Sequence, residues 1–209
     1  MYEVKRISTG ILPTNTYVLF DKASGSCVIV DPAFDNDKVE MFLKEKGLKP
    51  VAVLLTHGHF DHCGGVKRIV DLYGVPVYGS EKDADMAANA SKNEWGVFCY
   101  DCKISNYVDD LKSFSAGEFY FDVLHTPGHT PGGVCYFCDD IMFSGDTLFK
   151  ECIGRVDLPG GDYREMMNSL SRIAEIEKNY RVLPGHEEVT DLNHEFRFNP
   201  YLAAFKRNK

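Results

Sequence analysis

No apolar stretch in this sequence approaches the length of a bilayer: runs such as Val51 to Leu55 are a fraction of the roughly 20 residues a spanning helix needs. The opening residues, Met1-Tyr2-Glu3-Val4-Lys5-Arg6, lack the apolar segment and small-residue cleavage site of a secretory leader. Basic residues are outnumbered, 23 against 31 acids for a formal charge of -8, and they form no cluster. The phosphate-neutralising face of a nucleic-acid binder is therefore missing. Cysteine occurs seven times, an odd count without a leader, which argues against a disulfide framework and for reduced thiols. There is no low-complexity linker and no Gly-x-Ser-x-Gly nucleophile elbow. These absences leave an expected cytoplasmic, soluble protein that handles a small molecule, with neither nucleic acid nor membrane as partner and its oligomeric state open.

What is present is globular in character. With 44% hydrophobic and 26% charged residues over 209 positions, the chain is neither disordered nor fibrous, and one domain over residues 1–209 is expected. Thr16 to Phe20 and Cys27 to Val30 read as a hairpin across Ala23-Ser24-Gly25-Ser26. A helix over Asp37 to Lys46, stopped by Gly47, precedes a buried-type strand, Val51 to Leu55. Gly65 to Tyr73 and Glu81 to Ala90 read as helices around a strand at Pro76 to Tyr78. In the second half, strands are expected near Glu118 to Leu124, Gly133 to Phe137 and Ile141 to Ser144. A helix over Tyr163 to Glu177, a strand at Arg181 to Leu183 and a last helix over Pro200 to Lys206 follow. Met166, Met167, Leu170 and Ile173 form a core stripe on the helix after Gly161.

Each half ends a strand in a histidine loop, Leu55-Thr56-His57-Gly58-His59 and Leu183-Pro184-Gly185-His186. That pattern suggests two α/β halves packed sheet to sheet with helices outside, and a site where strand ends meet. The segment Ser91 to Asp110 fits no regular element and carries Trp95, Phe98, Tyr100 and Tyr107. It reads either as a loop over the site or, the plainer reading, as a connection whose aromatics fill core.

The chemistry concentrates in Thr56-His57-Gly58-His59-Phe60-Asp61-His62, three imidazoles and a carboxylate between a strand and a helix. His129 and His186 each follow a glycine, and Asp146 ends another strand in Phe143-Ser144-Gly145-Asp146-Thr147. One histidine alone is ordinarily a structural or surface group. Five in glycine-rich turns at strand ends, with carboxylates and without cysteine, suit an open zinc, iron or manganese centre rather than a closed structural zinc site.

These residues resemble the metallo-β-lactamase fold superfamily, and the resemblance runs from Asn15-Thr16-Tyr17 and Val30-Asp31-Pro32 to Pro184-Gly185-His186. It implies a four-layer αββα sandwich of mixed α/β class. It also implies that His57, His59 and His129 hold one metal, that Asp61, His62 and His186 hold a second, and that Asp146 bridges them. Two divalent cations, zinc first with iron or manganese as alternatives, would share an activated water, so Asp61 and Asp146 are the catalytic carboxylates. Cys152-Ile153-Gly154-Arg155-Val156-Asp157-Leu158-Pro159-Gly160-Gly161-Asp162 and Phe198-Asn199-Pro200-Tyr201 look like segments of small glyoxalase II-like proteins. They narrow the expectation to hydrolysis of acyl-thioesters of the hydroxyacylglutathione kind. Long glyoxalase II enzymes carry a C-terminal helical domain with much of the glutathione site, whereas here only Glu187 to Lys209 follow His186.

Arg155 is either a partner for a substrate carboxylate or an ion-pair partner of Asp157 or Asp162. The alternatives to a thioesterase are a mononuclear-iron persulfide dioxygenase using a subset of the same residues, a lactonase or phosphodiesterase on the same metals, and a non-catalytic binding module. Cys99-x-x-Cys102 and Cys135-x-x-Cys138 read as small core residues, the latter two on opposite faces of a strand, and Cys63 reads as buried. His125 is expected to support or pack, and His194 to lie at the surface.

Overall fold

Described by a computed structural model from Tyr2 to Phe205, the chain builds its first sheet around a strand buried at every position, β2 (Thr14–Phe20). It is flanked antiparallel by β1 (Glu3–Thr9) and β3 (Ser26–Val30). Beyond β3 the sheet continues parallel through β4 (Lys49–Leu54), β5 (Val77–Gly79) and β6 (Asn106–Tyr107). Parallel neighbours need crossovers, and these are α1 (Asp37–Lys46), α2 (Phe60–Cys63) with α3 (Val66–Tyr73), and α4 (Ala84–Ala88).

The second sheet contains β7 (Ser113–Ala116), β8 (Phe119–His125), β9 (Val134–Cys138), β10 (Ile141–Gly145), β13 (Arg181–Pro184) and β14 (Thr190–Asp191). Its spatial order is β14-β13-β10-β9-β8-β7, with β10 and β13 parallel. A small hairpin of β11 (Leu148–Phe149) and β12 (Cys152–Ile153) lies apart. Helices α5 (Tyr163–Ile173), α6 (Leu192–Phe198) and α7 (Pro200–Ala203) cover this half.

The period-2 alternation of the strands sorts the apolar side chains into three layers. Val18 and Phe20 of β2 and Cys27 and Ile29 of β3 face α1 and α3, meeting Val39, Leu43, Val66 and Ile69. The intervening Tyr17, Leu19, Val28 and Val30 face the other sheet and pack on Phe119, Phe121, Tyr136 and Phe143. On that sheet Cys135, Phe137 and Met142 point outward to Met166, Leu170 and Ile173 of α5. Four layers, helix–sheet–sheet–helix, follow from this sorting. Phe119 is fully buried between the sheets, so truncating it to alanine costs ~3–5 kcal/mol. None of the described helices is long and apolar enough to cross a membrane.

Several expectations meet the structure closely. The helix over Asp37–Lys46 has acids in its first turn, lysines in its last and Gly47 in the left-handed conformation, its N–H closing on Leu43 and Lys44 carbonyls. Asp162 caps α5 by accepting from the Glu165 N–H. Others differ. β1 has no hydrophobic alternation and is set by its full-length pairing with β2, Glu3 opposite Phe20 to Thr9 opposite Thr14. The expected helix Glu81–Ala90 breaks into a 3₁₀ turn at Glu81–Asp83, α4, and a second 3₁₀ turn at Ala90–Lys92. The helix expected to Glu177 ends at Ile173, and the last one spans Pro200–Ala203, Lys206 lying outside the described residues.

The aromatic side chains between Ser91 and Asp110 do not fill core: Trp95, Phe98, Tyr100 and Tyr107 are all exposed. Phe98 and Tyr100 pack edge to face on Phe34, while Cys99, Cys102 and Ile104 of the same segment enter the core with Cys63. All seven cysteines are free thiols. Cys135 and Cys138 lie in different apolar layers, as their spacing on a strand requires.

Candidate metal centre

The C-terminal ends of β4, β8, β10 and β13 meet at one end of the sandwich. Each is followed within a few residues by one of the histidine or aspartate loops, 56–62, 126–129, 145–146 and 185–186. Backbone bonds stitch these loops across the two sheets: Val134 N–H donates to the Thr56 carbonyl at 2.8 Å, and Asn15 N–H to the Gly185 carbonyl at 2.7 Å. The Asn15 side chain and the Tyr17 hydroxyl both donate to the Pro184 carbonyl.

All seven residues singled out in the sequence come together there. The ligand-type atoms of His57, His59 and His129 form one group within 4.8 Å of one another, and those of Asp61, His62 and His186 form another. His59 Nδ1 stands 2.9 Å from His129 Nε2, and His62 Nε2 stands 3.3 Å from His186 Nε2. Asp146 faces both groups. Its Oδ1 is 3.4 Å from His62 Nε2, and its Oδ2 is 3.4 Å from His129 Nε2 and 3.5 Å from His186 Nε2.

The other edge of four of these rings is fixed by an oxygen. His129 Nδ1 donates to the Arg155 carbonyl at 2.7 Å, and His186 Nδ1 to the Pro13 carbonyl at 3.2 Å. His62 Nδ1 donates to Asp31 Oδ2 at 3.0 Å. Thr56 Oγ1 donates to the same Asp31 oxygen at 2.6 Å and so accepts from His57 Nδ1 at 3.1 Å. Each Nδ1 that donates leaves its Nε2 lone pair facing the centre, which is how imidazoles are prepared for a metal. The buried Nε2 of His57 and Oδ1 of Asp146 have no hydrogen-bond partner. Orphaned acceptors at the meeting point of two donor groups are what cation ligands would look like, so the residues fit two divalent ions.

Electrostatics divides the two groups. Burial, reinforced by the neighbouring imidazoles, keeps His57 far below its ordinary pKa. Burial and His129 push His59 down to about 3, so both rings are neutral and have a free lone pair at neutral pH. At His62 burial works in the same direction, but Asp146, Asp61 and Asp31 outweigh it and raise the ring to about 10. His186 is also raised: burial is outweighed by its bond to Asp61 and the Asp146 charge. Asp61 is buried, yet His62 and His186 hold it well below the usual carboxylate range. A proton on His62 thus balances the carboxylates where a cation's charge would otherwise do so.

Asp31 and Thr56 touch the histidine cluster, and the sequence reading did not single them out. Asp31 was visible only as part of Val30-Asp31-Pro32. Its left-handed backbone, φ 49°, turns the carboxylate under the histidine loop, where Oδ1 also accepts from Thr56 N–H. The same oxygens bring Asp31 within reach of His57 and His62, but they are already committed to donors. Arg155 lines the adjacent cavity, yet its guanidinium is held bidentately by Asp157 at 2.7 and 2.8 Å. Of the two expectations for this residue the ion pair is the one formed, and its backbone carbonyl orients His129. His125 belongs to neither group. Burial lowers its pKa beside Asp109 and the Val108 carbonyl. His194 lies at the surface, partly covered, 2.9 Å from Glu151 and against the Phe198 ring.

A cavity of about 620 Å³ opens on the centre, within the range of small-molecule sites. Leu12, Phe60, Met86, Trp95, Phe149 and Leu158 supply apolar wall, and Lys92, Glu94, Arg155 and Glu187 supply charge. Trp95 places the irregular segment over the site, as one of the two readings of Ser91 to Asp110 expects.

Residues 9–186 match the family model described as Metallo-beta-lactamase superfamily. Among curated relatives, the probable metallo-hydrolase YqgX of Bacillus subtilis is 35% identical over 208 residues, covering 96% of this chain and 98% of its own. The crystal structure of BLEG-1, described as a B3 metallo-beta-lactamase, superposes with a TM-score of 0.90 at 36% identity, covering 96% of this chain and 99% of that one. The protein TTHA1623, crystallised in a di-iron-bound form, gives 0.86 at 35% identity over 95% and 100% of the two chains.

Proposed function

The chain belongs to the metallo-beta-lactamase superfamily, and from that premise we propose that it is a dinuclear metal-dependent hydrolase of acyl-thioesters. One observation carries the reading: Asp146 presents its two oxygens to both histidine groups at 3.4–3.5 Å, so a single carboxylate belongs to two cation sites. We assign His57, His59 and His129 to the first and Asp61, His62 and His186 to the second, with zinc as the first candidate and iron, as in the TTHA1623 crystal, or manganese as alternatives. When bound, such a pair supplies a water acidified toward neutral pH and a Lewis acid for the substrate carbonyl.

The chain's own residues do the positioning. The Nδ1–H bonds to Arg155, Pro13, Asp31 and Thr56 fix the orientation of four rings. The Thr14 hydroxyl shares its one proton between the Leu12 carbonyl at 2.8 Å and Asp61 Oδ2 at 3.2 Å, beside that carboxylate. Outside the seven, the titratable side chains on the cavity wall among the described residues are Lys92, Glu94, Cys152, Arg155 and Glu187, with no histidine or tyrosine to protonate a leaving group. A thiol of pKa about 8.5 leaves as the thiolate with little such help, whereas an amide nitrogen needs a proton. This favours thioesters.

A second reading, β-lactam ring opening, rests on the description of BLEG-1. The deciding experiment assays the metal-loaded protein on S-lactoylglutathione, on a chromogenic cephalosporin and on glutathione persulfide, with and without air. Thioester cleavage at equal rates in both atmospheres, well above β-lactam turnover, is expected. β-Lactam turnover without thioesterase activity would replace the proposal with the second reading. Oxygen uptake with persulfide and one iron per chain would replace both.

A further inference from the structure

Asp83 is a fully buried carboxylate, 1% exposed, that no lysine or arginine bridges among the described residues. A buried charge without a counter-charge is costly and has to be repaid by hydrogen bonds. Asp83 has three. Its Oδ2 accepts from Gly58 N–H at 2.9 Å and from Thr130 Oγ1 at 2.7 Å, and its Oδ1 accepts from Gly132 N–H at 2.7 Å. Gly58 lies between His57 and His59 on the first sheet's loop, and Thr130 and Gly132 follow His129 on the second sheet's loop. All three donors therefore come from the two loops that carry the first histidine group, and from nowhere else.

The surrounding sequence is shaped to admit this carboxylate. A Cβ on Gly132 would sit 2.5 Å from Asp83 Cγ, and one on Gly58 would sit 2.9 Å from Asp83 Cβ and 2.7 Å from its carbonyl oxygen. Neither glycine has a left-handed φ, so close approach rather than backbone freedom explains both. The helix expected over Glu81–Ala90 is interrupted at Asp83 itself, φ −103° and ψ 3°, and the side chain turns inward from that break.

We propose that Asp83 is a positioning residue for the first metal site: its carboxylate ties the 57–59 loop to the 129–132 loop and sets the gap in which His57, His59 and His129 meet. The inference rests on the metal reading above and adds a residue that touches neither metal nor substrate. The second group, Asp61, His62 and His186, has no bond to Asp83. A tie of this kind predicts an asymmetric defect, which a general loss of stability does not.

The test uses the full-length chain, stripped and then titrated with Zn²⁺ against a chromogenic chelator. His186→Ala isolates the first site and His57→Ala the second. In the His186→Ala background, Asp83→Asn keeps the shape but turns an amide N–H toward one of the three donors, and it is expected to weaken Zn²⁺ binding by about 10- to 100-fold. In the His57→Ala background it is expected to leave affinity within about threefold. Thr130→Val removes one donor with no change of charge and should show a smaller loss at the first site alone, and Thr130→Ser should restore wild-type affinity. Should Asp83→Asn fail to fold, the threonine pair decides. Equal weakening of both sites, or unchanged affinity at the first in a folded variant, would overturn the proposal. A parent protein that takes up none of zinc, iron or manganese would overturn the metal reading, and this inference with it.

Discussion

Asp31→Asn tests whether one carboxylate sets the protonation of both metal sites. In the native arrangement Asp31 Oδ2 receives two protons, from Thr56 Oγ1 at 2.6 Å and from His62 Nδ1 at 3.0 Å, while Oδ1 receives the Thr56 N–H at 2.8 Å. Asparagine fits the left-handed backbone at this position, so the variant keeps its turn. Its oxygen must stay on the Thr56 N–H, which puts an NH₂ where Oδ2 was. The NH₂ can only donate: His62 must then accept at Nδ1 and hold its proton on Nε2. The Thr56 hydroxyl, now an acceptor, turns its own proton to His57 Nδ1 at 3.1 Å, and His57 likewise becomes an Nε2–H ring. Each site so loses one lone pair. At the 10- to 100-fold cost of losing such a supporting partner, this is ~1.4–2.7 kcal/mol per site, visible as a parallel drop of both zinc affinities in a chelator competition. Affinities within threefold of wild type at both sites would refute the relay, and loss at one site alone would refute its reach to the other. The contrast with Asp83→Asn, one site against two, separates the two buried aspartates.

Three further outcomes follow from the same geometry. Asp146→Asn should lower metal occupancy and hydrolysis together, the rate by at least about 100-fold or ~2.7 kcal/mol of barrier, and near wild-type turnover would remove its bridging role. In Gly185→Ala the new Cβ would lie 2.2 Å from Asp146 Oδ1 and 2.5 Å from His62 Cε1; the second site should empty first, and a variant with both equivalents and full rate would show that this glycine is not needed for the approach. The metal-free chain should lose stability as pH rises from about 6.5 toward about 10, because the folded pKa of His62 is raised to about 10 and the contribution of its proton is lost through that window. Melting temperatures of the metal-free protein that stay flat or rise across this range would contradict the assignment, whereas the loaded protein should not share the fall.

How much of this was legible in the sequence varies with the kind of signal. The seven proposed ligands were, because their spacing at strand ends is local: His57, His59, Asp61 and His62 fall in six consecutive positions, Asp146 directly follows one strand, and His186 follows another after the single residue Gly185. The helix near Asp37 to Lys46 was legible since its charges and Gly47 encode both ends. β1 was not, since an edge strand with charged outward side chains is specified by its partner β2 rather than by its own pattern. Asp31, Thr56 and Asp83 were missed for a related reason. Their roles are hydrogen bonds to loops up to 49 positions away, and a single aspartate in a sequence carries no mark of what it will face. Arg155 was legible only as a choice between two partners, of which the Asp157 side chain two residues on is the one it pairs with in this structure.

The central claim is that seven side chains hold two cations and that hydrolysis needs both. Stepwise addition of Zn²⁺ to the metal-stripped chain, with bound metal and S-lactoylglutathione cleavage followed together, tests it most directly. The account predicts saturation at two equivalents per chain, with cleavage rising mainly on the second. Saturation at one equivalent with full cleavage would contradict it.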